Sequence, residues 1–160
     1  MKNIKFITLF AVVLGLMSFT NLAESTKYKC MIQMTNYTGE GAYIVISLLN
    51  PNGEYVETLN VKGDDDEWYN TVESWWKFYG KKRSDIDAIT GATISGGERA
   101  ISIIEIDNDK LNKGYKLRFE TAVEDQEYYE SDVELDLTSE NVRNKVEGKG
   151  FIRYIRMIPQ

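Results

Sequence analysis

Residues 42–49 read AYIVISLL, and this β-branched, apolar stretch decides the fold of the chain. A run of this kind is typical of a buried strand. The next four residues, Asn50–Gly53, have the composition of a strong turn, and Glu54–Val61 suits the return strand of a hairpin. The short connection predicts a β-meander and argues against a βαβ unit.

Other segments with strand-like alternation lie on both sides of this hairpin. They are separated by short polar turns, which is typical of an immunoglobulin-like β-sandwich. A chain of 160 residues suits one domain with a substantial core. We therefore expect a mainly all-β fold and a single domain over residues 26–160, with the last strand at a sheet edge. The further predicted strands are Lys27–Thr35, Arg99–Ile106, Tyr115–Val123, Tyr128–Leu137 and Gly148–Met157.

One short aromatic-rich helix is predicted between the hairpin and residue 87. Apolar side chains recur at helical spacing from Trp68 to Tyr79, and Gly80 is expected to end the helix. The preceding GDDDE run, residues 63–67, favours a helix start because acids are stabilised in a first turn. A calcium loop is the alternative interpretation of the same acids. Trp75 is expected to pack on the sheet.

The N-terminal residues predict export. Lys2 and Lys5 come before an apolar run, Phe6–Phe19, that is short for a membrane span and typical of a signal peptide. The small residues Ala23 and Ser25 suit cleavage. We therefore expect residues 1–25 to be a signal peptide and the mature protein to be secreted or periplasmic and not integral to a membrane. An uncleaved membrane anchor is the alternative.

The composition excludes several kinds of chemistry. The chain has no histidine and a single cysteine, which excludes a Ser-His-Asp triad, His-ligated zinc or haem, an internal disulfide bond and an iron–sulfur cluster. A formal net charge of −6 argues against nucleic-acid binding. Cys30 is expected to be a buried strand thiol without an activating base. We predict neither a catalytic residue nor a metal site.

A second stretch, DAITGATISGG at residues 87–97, bears on function. Its composition by itself indicates a glycine turn between two strands. The functional alternative is that the stretch presents an acceptor hydroxyl. Gly91 tolerates backbone conformations that are closed to other residues, and Ala92 adds almost no bulk. Thr93 would then stand on a slim bend over which the active site of another protein can close.

The run from Asp87 to Thr93 resembles the flavinylation motif Asp-x-x-(Ser/Thr)-Gly-Ala-(Ser/Thr). The motif occurs in secreted bacterial proteins, including an uncharacterised domain family that this chain resembles, and these proteins carry covalent FMN. In them a flavin transferase takes FMN from FAD and joins it to the last residue of the motif through a phosphoester. The resemblance implies that Thr93 is the acceptor and that Asp87, Thr90, Gly91 and Ala92 complete the cofactor-binding motif.

The resemblance also implies a role. An exposed ring before the motif, Trp76 or Tyr79, would stack on the flavin. The protein would be an extracytosolic electron carrier rather than a stand-alone enzyme. Its partners would be a flavin transferase and a membrane reductase or another extracytosolic redox protein. The alternative is a non-catalytic, immunoglobulin-like binding module, because a sandwich fold serves many purposes.

Overall fold

The computed structural model of the protein describes residues 24–82 and 84–160. The predicted signal peptide lies outside these residues, apart from Glu24 and Ser25. Within the described ranges the chain forms nine strands and one α-helix, α1, over Glu73–Lys82. The strands are β1 (Ser25–Met34), β2 (Tyr43–Leu49), β3 (Tyr55–Lys62), β4 (Thr90–Gly91), β5 (Arg99–Asp107), β6 (Lys116–Ala122), β7 (Tyr128–Asp136), β8 (Lys145–Glu147) and β9 (Ile152–Pro159).

The strands form two sheets packed as a β-sandwich, which confirms the predicted fold class. The first sheet has the order β5-β1-β9-β8 and the second has the order β4-β3-β2-β6-β7. All pairings are antiparallel except that of β3 with the two-residue strand β4. The expected edge position of the last strand is wrong, because β8 pairs with the outer side of β9.

The main core lies between the two sheets. Side chains of β1 alternate between buried and more exposed positions, so that every second residue points into the sandwich. These side chains pack with apolar residues of β2, β5, β6 and β9 in one cluster. The β1 residues in this core are Tyr28, Cys30, Ile32 and Met34.

A helical layer covers the outer face of the second sheet. This layer explains why β2 is buried on both faces and is apolar at every position except Ser47. The single predicted helix is replaced by two elements, a 3₁₀ helix over Asp66–Thr71 and then α1. The predicted helix start among the acids is confirmed, because the Glu67 N–H donates to Asp65 Oδ1 at 3.1 Å. The second apolar cluster contains Val45, Val61, Tyr69, Val72, Trp75, Ile86 and Ala122.

Gly80 does not end the helix, contrary to the prediction. It lies inside α1, and the indole of Trp76 packs against it. A Cβ atom at residue 80 would stand 2.9 Å from Cε2 of Trp76. The glycine therefore makes room for a ring within the helix. Trp75 is fully buried and donates from Nε1 to Thr58 Oγ1 at 2.8 Å, which confirms that it packs on the sheet.

Cys30 is buried in the core, as expected, and its thiol is predicted to be inert. Burial raises the pKa of this thiol from 9.0 to about 12. At pH 8 its thiolate fraction is therefore about 1,000-fold smaller than that of an ordinary thiol. We expect native protein to react with iodoacetamide at least about 100-fold more slowly than urea-unfolded protein, as measured by mass spectrometry over time. Equal rates would contradict this.

The same pKa shift makes the stability of the fold depend on pH in a definite direction. The folded state holds the Cys30 proton more tightly than the unfolded state does. The resulting contribution to stability is complete below pH 9 and is lost as the pH rises through about 12. Cys30→Ala has no thiol to ionise, so its stability is expected to fall less between pH 9 and about 12 than that of the wild type. Alkaline unfolding followed by circular dichroism measures this difference.

Candidate functional site

Thr93 is held between two anchored residues. On one side, Gly91 pairs with Lys62 of β3, and its carbonyl accepts from the Gly63 N–H at 2.6 Å. On the other side, Ile94 exchanges backbone hydrogen bonds with Ala42, at 2.9 and 3.2 Å. The segment is therefore neither a simple glycine turn nor a free bend. It is a short segment, hydrogen-bonded at residues 91 and 94, that fixes the position of residue 93.

The side chain of Thr93 lies against Gly41. A Cβ atom at residue 41 would stand 2.4 Å from Thr93 Oγ1 and 2.7 Å from its Cβ, so only glycine permits this contact. Thr93 is half-buried, and its hydroxyl makes no hydrogen bond within residues 24–82 and 84–160. A hydroxyl in this state is open to a reagent that approaches from the pocket it faces.

That pocket has a volume of about 150 Å³ and is strongly acidic. Three of its residues carry carboxylates, and no lysine or arginine in the described part of the chain lines it. A freely dissociating phosphate would be repelled there, because like charges disfavour one another across a short distance. The lining residues are Glu40, Gly41, Tyr43, Asp65, Trp68, Thr71, Thr93 and Glu124.

Tyr43 forms a neutral wall of this pocket. Its ring lies against Gly63, where an added Cβ atom would stand 2.1 Å from Cδ1 of the ring. Its hydroxyl donates to the carbonyl of Asp65 at 3.3 Å. Burial, together with Asp65 and Asp64, raises the pKa of Tyr43 to about 12, so the phenol stays protonated.

A larger cleft of about 410 Å³ adjoins the Thr93 pocket. The two share Trp68, Thr71 and Glu124. Trp68 keeps 37% of its surface exposed, which is unusual for the largest apolar side chain. The Thr71 hydroxyl donates to the Trp68 carbonyl at 2.7 Å, within the 3₁₀ helix that carries the indole. The other lining residues are Glu73, Ala122, Val123, Asp125, Gln126 and Tyr128.

Of the predicted motif residues, only Thr93 lines either cavity. Asp87 is exposed and begins a 3₁₀ turn, and its N–H donates to Asp85 Oδ1 at 3.1 Å. The Thr90 hydroxyl donates to the Ile86 carbonyl at 2.8 Å. Gly91 lies in β4 without a left-handed φ angle, contrary to the conformation considered for it, and Ala92 is exposed.

The predicted stacking residues lie elsewhere. Tyr79 stacks on Trp75 with ring centroids 4.5 Å apart, and both Tyr79 and Trp76 pack against the second apolar cluster. Neither lines the cavity that Thr93 faces; Trp68 and Tyr43 do. Sequence reasoning missed Trp68 because helical spacing assigned it to a packed helix face. It missed Tyr43 because residues 42–49 were assigned to a buried strand. The signal available for Trp68 was its position directly after four acids, where an apolar ring has polar neighbours.

Comparison with known proteins corrects the family assignment. Residues 25–154 match the family described as "Predicted periplasmic protein (DUF2271)". That description is not of an FMN-binding flavinylation domain, so the assignment to a family of flavinylated proteins is wrong. No curated protein and no solved structure matches the chain. Among the residues described, no helix has the length and apolar character needed to cross a bilayer. The chain belongs to the DUF2271 family of predicted periplasmic proteins, and its location is extracytosolic.

Proposed function

We propose that Thr93 carries FMN through a phosphoester and that this periplasmic protein is an extracytosolic electron carrier. The observation that supports the proposal is the state of the Thr93 hydroxyl. It is half-exposed, makes no hydrogen bond with the described part of the chain and faces a pocket with two aromatic walls. A hydroxyl that must be esterified by another enzyme needs access more than it needs a neighbouring base.

The attachment is done to the protein by a flavin transferase with FAD as the donor. The Thr93 oxygen forms a bond to the phosphorus on the FMN side of FAD. The bond between that phosphorus and the oxygen bridging the two phosphates breaks, and AMP leaves. The hydroxyl proton passes to a base of the transferase. On this side of the reaction, Gly91 and Ile94 hold the acceptor in place through their backbone pairing.

The acidity of the pocket gives covalent attachment a purpose. Glu40, Asp65 and Glu124 disfavour the phosphate of a freely bound flavin nucleotide. A covalent tether holds the group at a fixed effective concentration despite this repulsion. Outside the cytoplasm, a dissociable cofactor would be diluted away.

FMN held at Thr93 would supply reversible uptake of two electrons, a chemistry that the protein's own side chains lack. Trp68 and Tyr43 offer aromatic surface beside the attachment point. The electron donor in this proposal is a membrane reductase, and the acceptor is another extracytosolic redox protein.

Co-expression with a flavin transferase tests the proposal. Denaturing gels viewed under ultraviolet light should show a fluorescent band for the wild type and none for Thr93→Ala. Thr90→Ala is the matched control, because it removes a hydroxyl that already donates to Ile86 and does not face the pocket. Its band should remain. A wild type that stays colourless beside a transferase proven on another substrate would overturn the proposal and favour a non-catalytic binding module.

A further inference from the structure

We propose that the larger cleft, between Trp68 and Tyr128, is the binding site of the isoalloxazine ring. This inference rests on the proposed function, because the ring would reach the cleft from a phosphoester on Thr93. The smaller pocket would then hold only the phosphate and the start of the ribityl chain. The cleft is assigned to a planar, uncharged aromatic group.

The relative position of the two cavities supports this division. They adjoin at Trp68, Thr71 and Glu124, so the second cavity is next to the one that Thr93 lines. The Thr93 pocket, at about 150 Å³, is small for a tricyclic ring, whereas about 410 Å³ lies within the usual range of ligand sites. The indole of Trp68 stands at the junction with 37% of its surface exposed.

The far wall of the cleft is fixed in place. The Tyr128 hydroxyl donates to Glu120 Oε2 at 2.6 Å and accepts from the Ser74 N–H at 3.0 Å. Burial and the neighbouring Glu120 raise the pKa of Tyr128, so the phenol remains neutral. A ring bound between the two aromatic residues would therefore meet one wall held by two hydrogen bonds and one, Trp68, that lies in the 3₁₀ helix Asp66–Thr71.

The charges around the cavities select against anionic ligands. Five carboxylate residues line the two cavities, and no cationic side chain of residues 24–82 and 84–160 does. An oxidised isoalloxazine ring is uncharged and escapes this repulsion, whereas a free phosphate monoester does not. The acidic residues are Glu40, Asp65, Glu73, Glu124 and Asp125.

Titration of unmodified protein with lumiflavin tests the proposed ring-binding site without any attachment step. Lumiflavin carries the isoalloxazine ring but no ribityl chain or phosphate. Its own fluorescence should be quenched saturably by the wild type. Trp68→Ala should bind about tenfold more weakly or worse, since the ring loses its stacking partner. Free FMN should also bind about tenfold more weakly than lumiflavin.

Phe78→Ala is the matched control. Phe78 is an exposed aromatic residue that stacks on Tyr55 at 4.8 Å and lines neither cavity. Its loss should leave lumiflavin binding unchanged. Absence of saturable quenching, or equal affinities for wild type and Trp68→Ala, would overturn the proposal that the cleft binds the ring. Lumiflavin binding together with a Thr93 that is never modified would overturn the proposed function and leave the ring-binding proposal standing.

Discussion

Replacing Glu120 with alanine is expected to lower the free energy of unfolding by about 3–5 kcal/mol, as measured by urea denaturation. The Glu120 side chain is fully buried beneath the start of α1. Its Oε2 accepts from the Trp75 N–H at 3.0 Å and from the Tyr128 hydroxyl at 2.6 Å. Its Oε1 pairs with a nitrogen of Arg118 at 2.7 Å. Removing the carboxylate leaves three donors without their acceptor, of which the Trp75 N–H and the Arg118 nitrogen are buried.

The loss of stability is large because Arg118 has no equivalent acceptor to replace the Glu120 carboxylate. It is buried, and its Nε already lacks a hydrogen-bond partner among the described residues. The second carboxylate that it contacts, Glu130, is 57% exposed at a distance of 3.3 Å. Glu130→Ala is therefore the matched control and is expected to cost about 1 kcal/mol or less. Equal losses for Glu120→Ala and Glu130→Ala would contradict this description of the network.

Replacing Gly41 with alanine is expected to slow FMN attachment to Thr93 by about 100-fold. The new Cβ atom would overlap both Oγ1 and Cβ of Thr93, so rotation of the hydroxyl alone does not relieve the clash. The acceptor must move with its backbone, and a displacement near 1 Å costs a transfer reaction about that factor. Fluorescence of the protein band over time, with transferase and FAD supplied, measures the rate.

A loss of stability must be separated from this effect. Overpacking at residue 41 is expected to cost about 1–3 kcal/mol. Ile46→Val provides the control, because it removes one methyl group from the main core, costs about 0.5–1.5 kcal/mol and leaves the Thr93 contact untouched. Ile46→Val should be modified at the wild-type rate. If Gly41→Ala and Ile46→Val are modified equally fast, the contact between residues 41 and 93 does not position the acceptor.

The long strands follow from the sequence because their side chains carry the signal themselves. β1 alternates, β2 is a nearly continuous apolar run, and both were predictable. The short strands were not, since β4 has two residues and β8 has three, which is too few for a period. The misplaced edge of the first sheet follows from this, because the charged strand β8 covers β9.

The site was only partly predictable, because it depends on contacts between distant segments. The identity of Thr93 as a candidate came from its own neighbours in the chain. Its contact with Gly41 and the cavity shared with Trp68 depend on the pairing of residues 42 and 94, which no local pattern indicates. The division of the predicted helix likewise depends on Glu120, which lies 45 residues from the N–H group of Trp75 that it accepts.

Tandem mass spectrometry of the protein purified from the periplasm of cells that contain a flavin transferase tests the central claim most directly. The proposal predicts an intact mass greater by one FMN less one water, with the added mass on the peptide that contains Thr93 and located at that residue. An unmodified Thr93 in cells whose transferase loads another protein would contradict the claim. So would an FMN adduct found on a different residue.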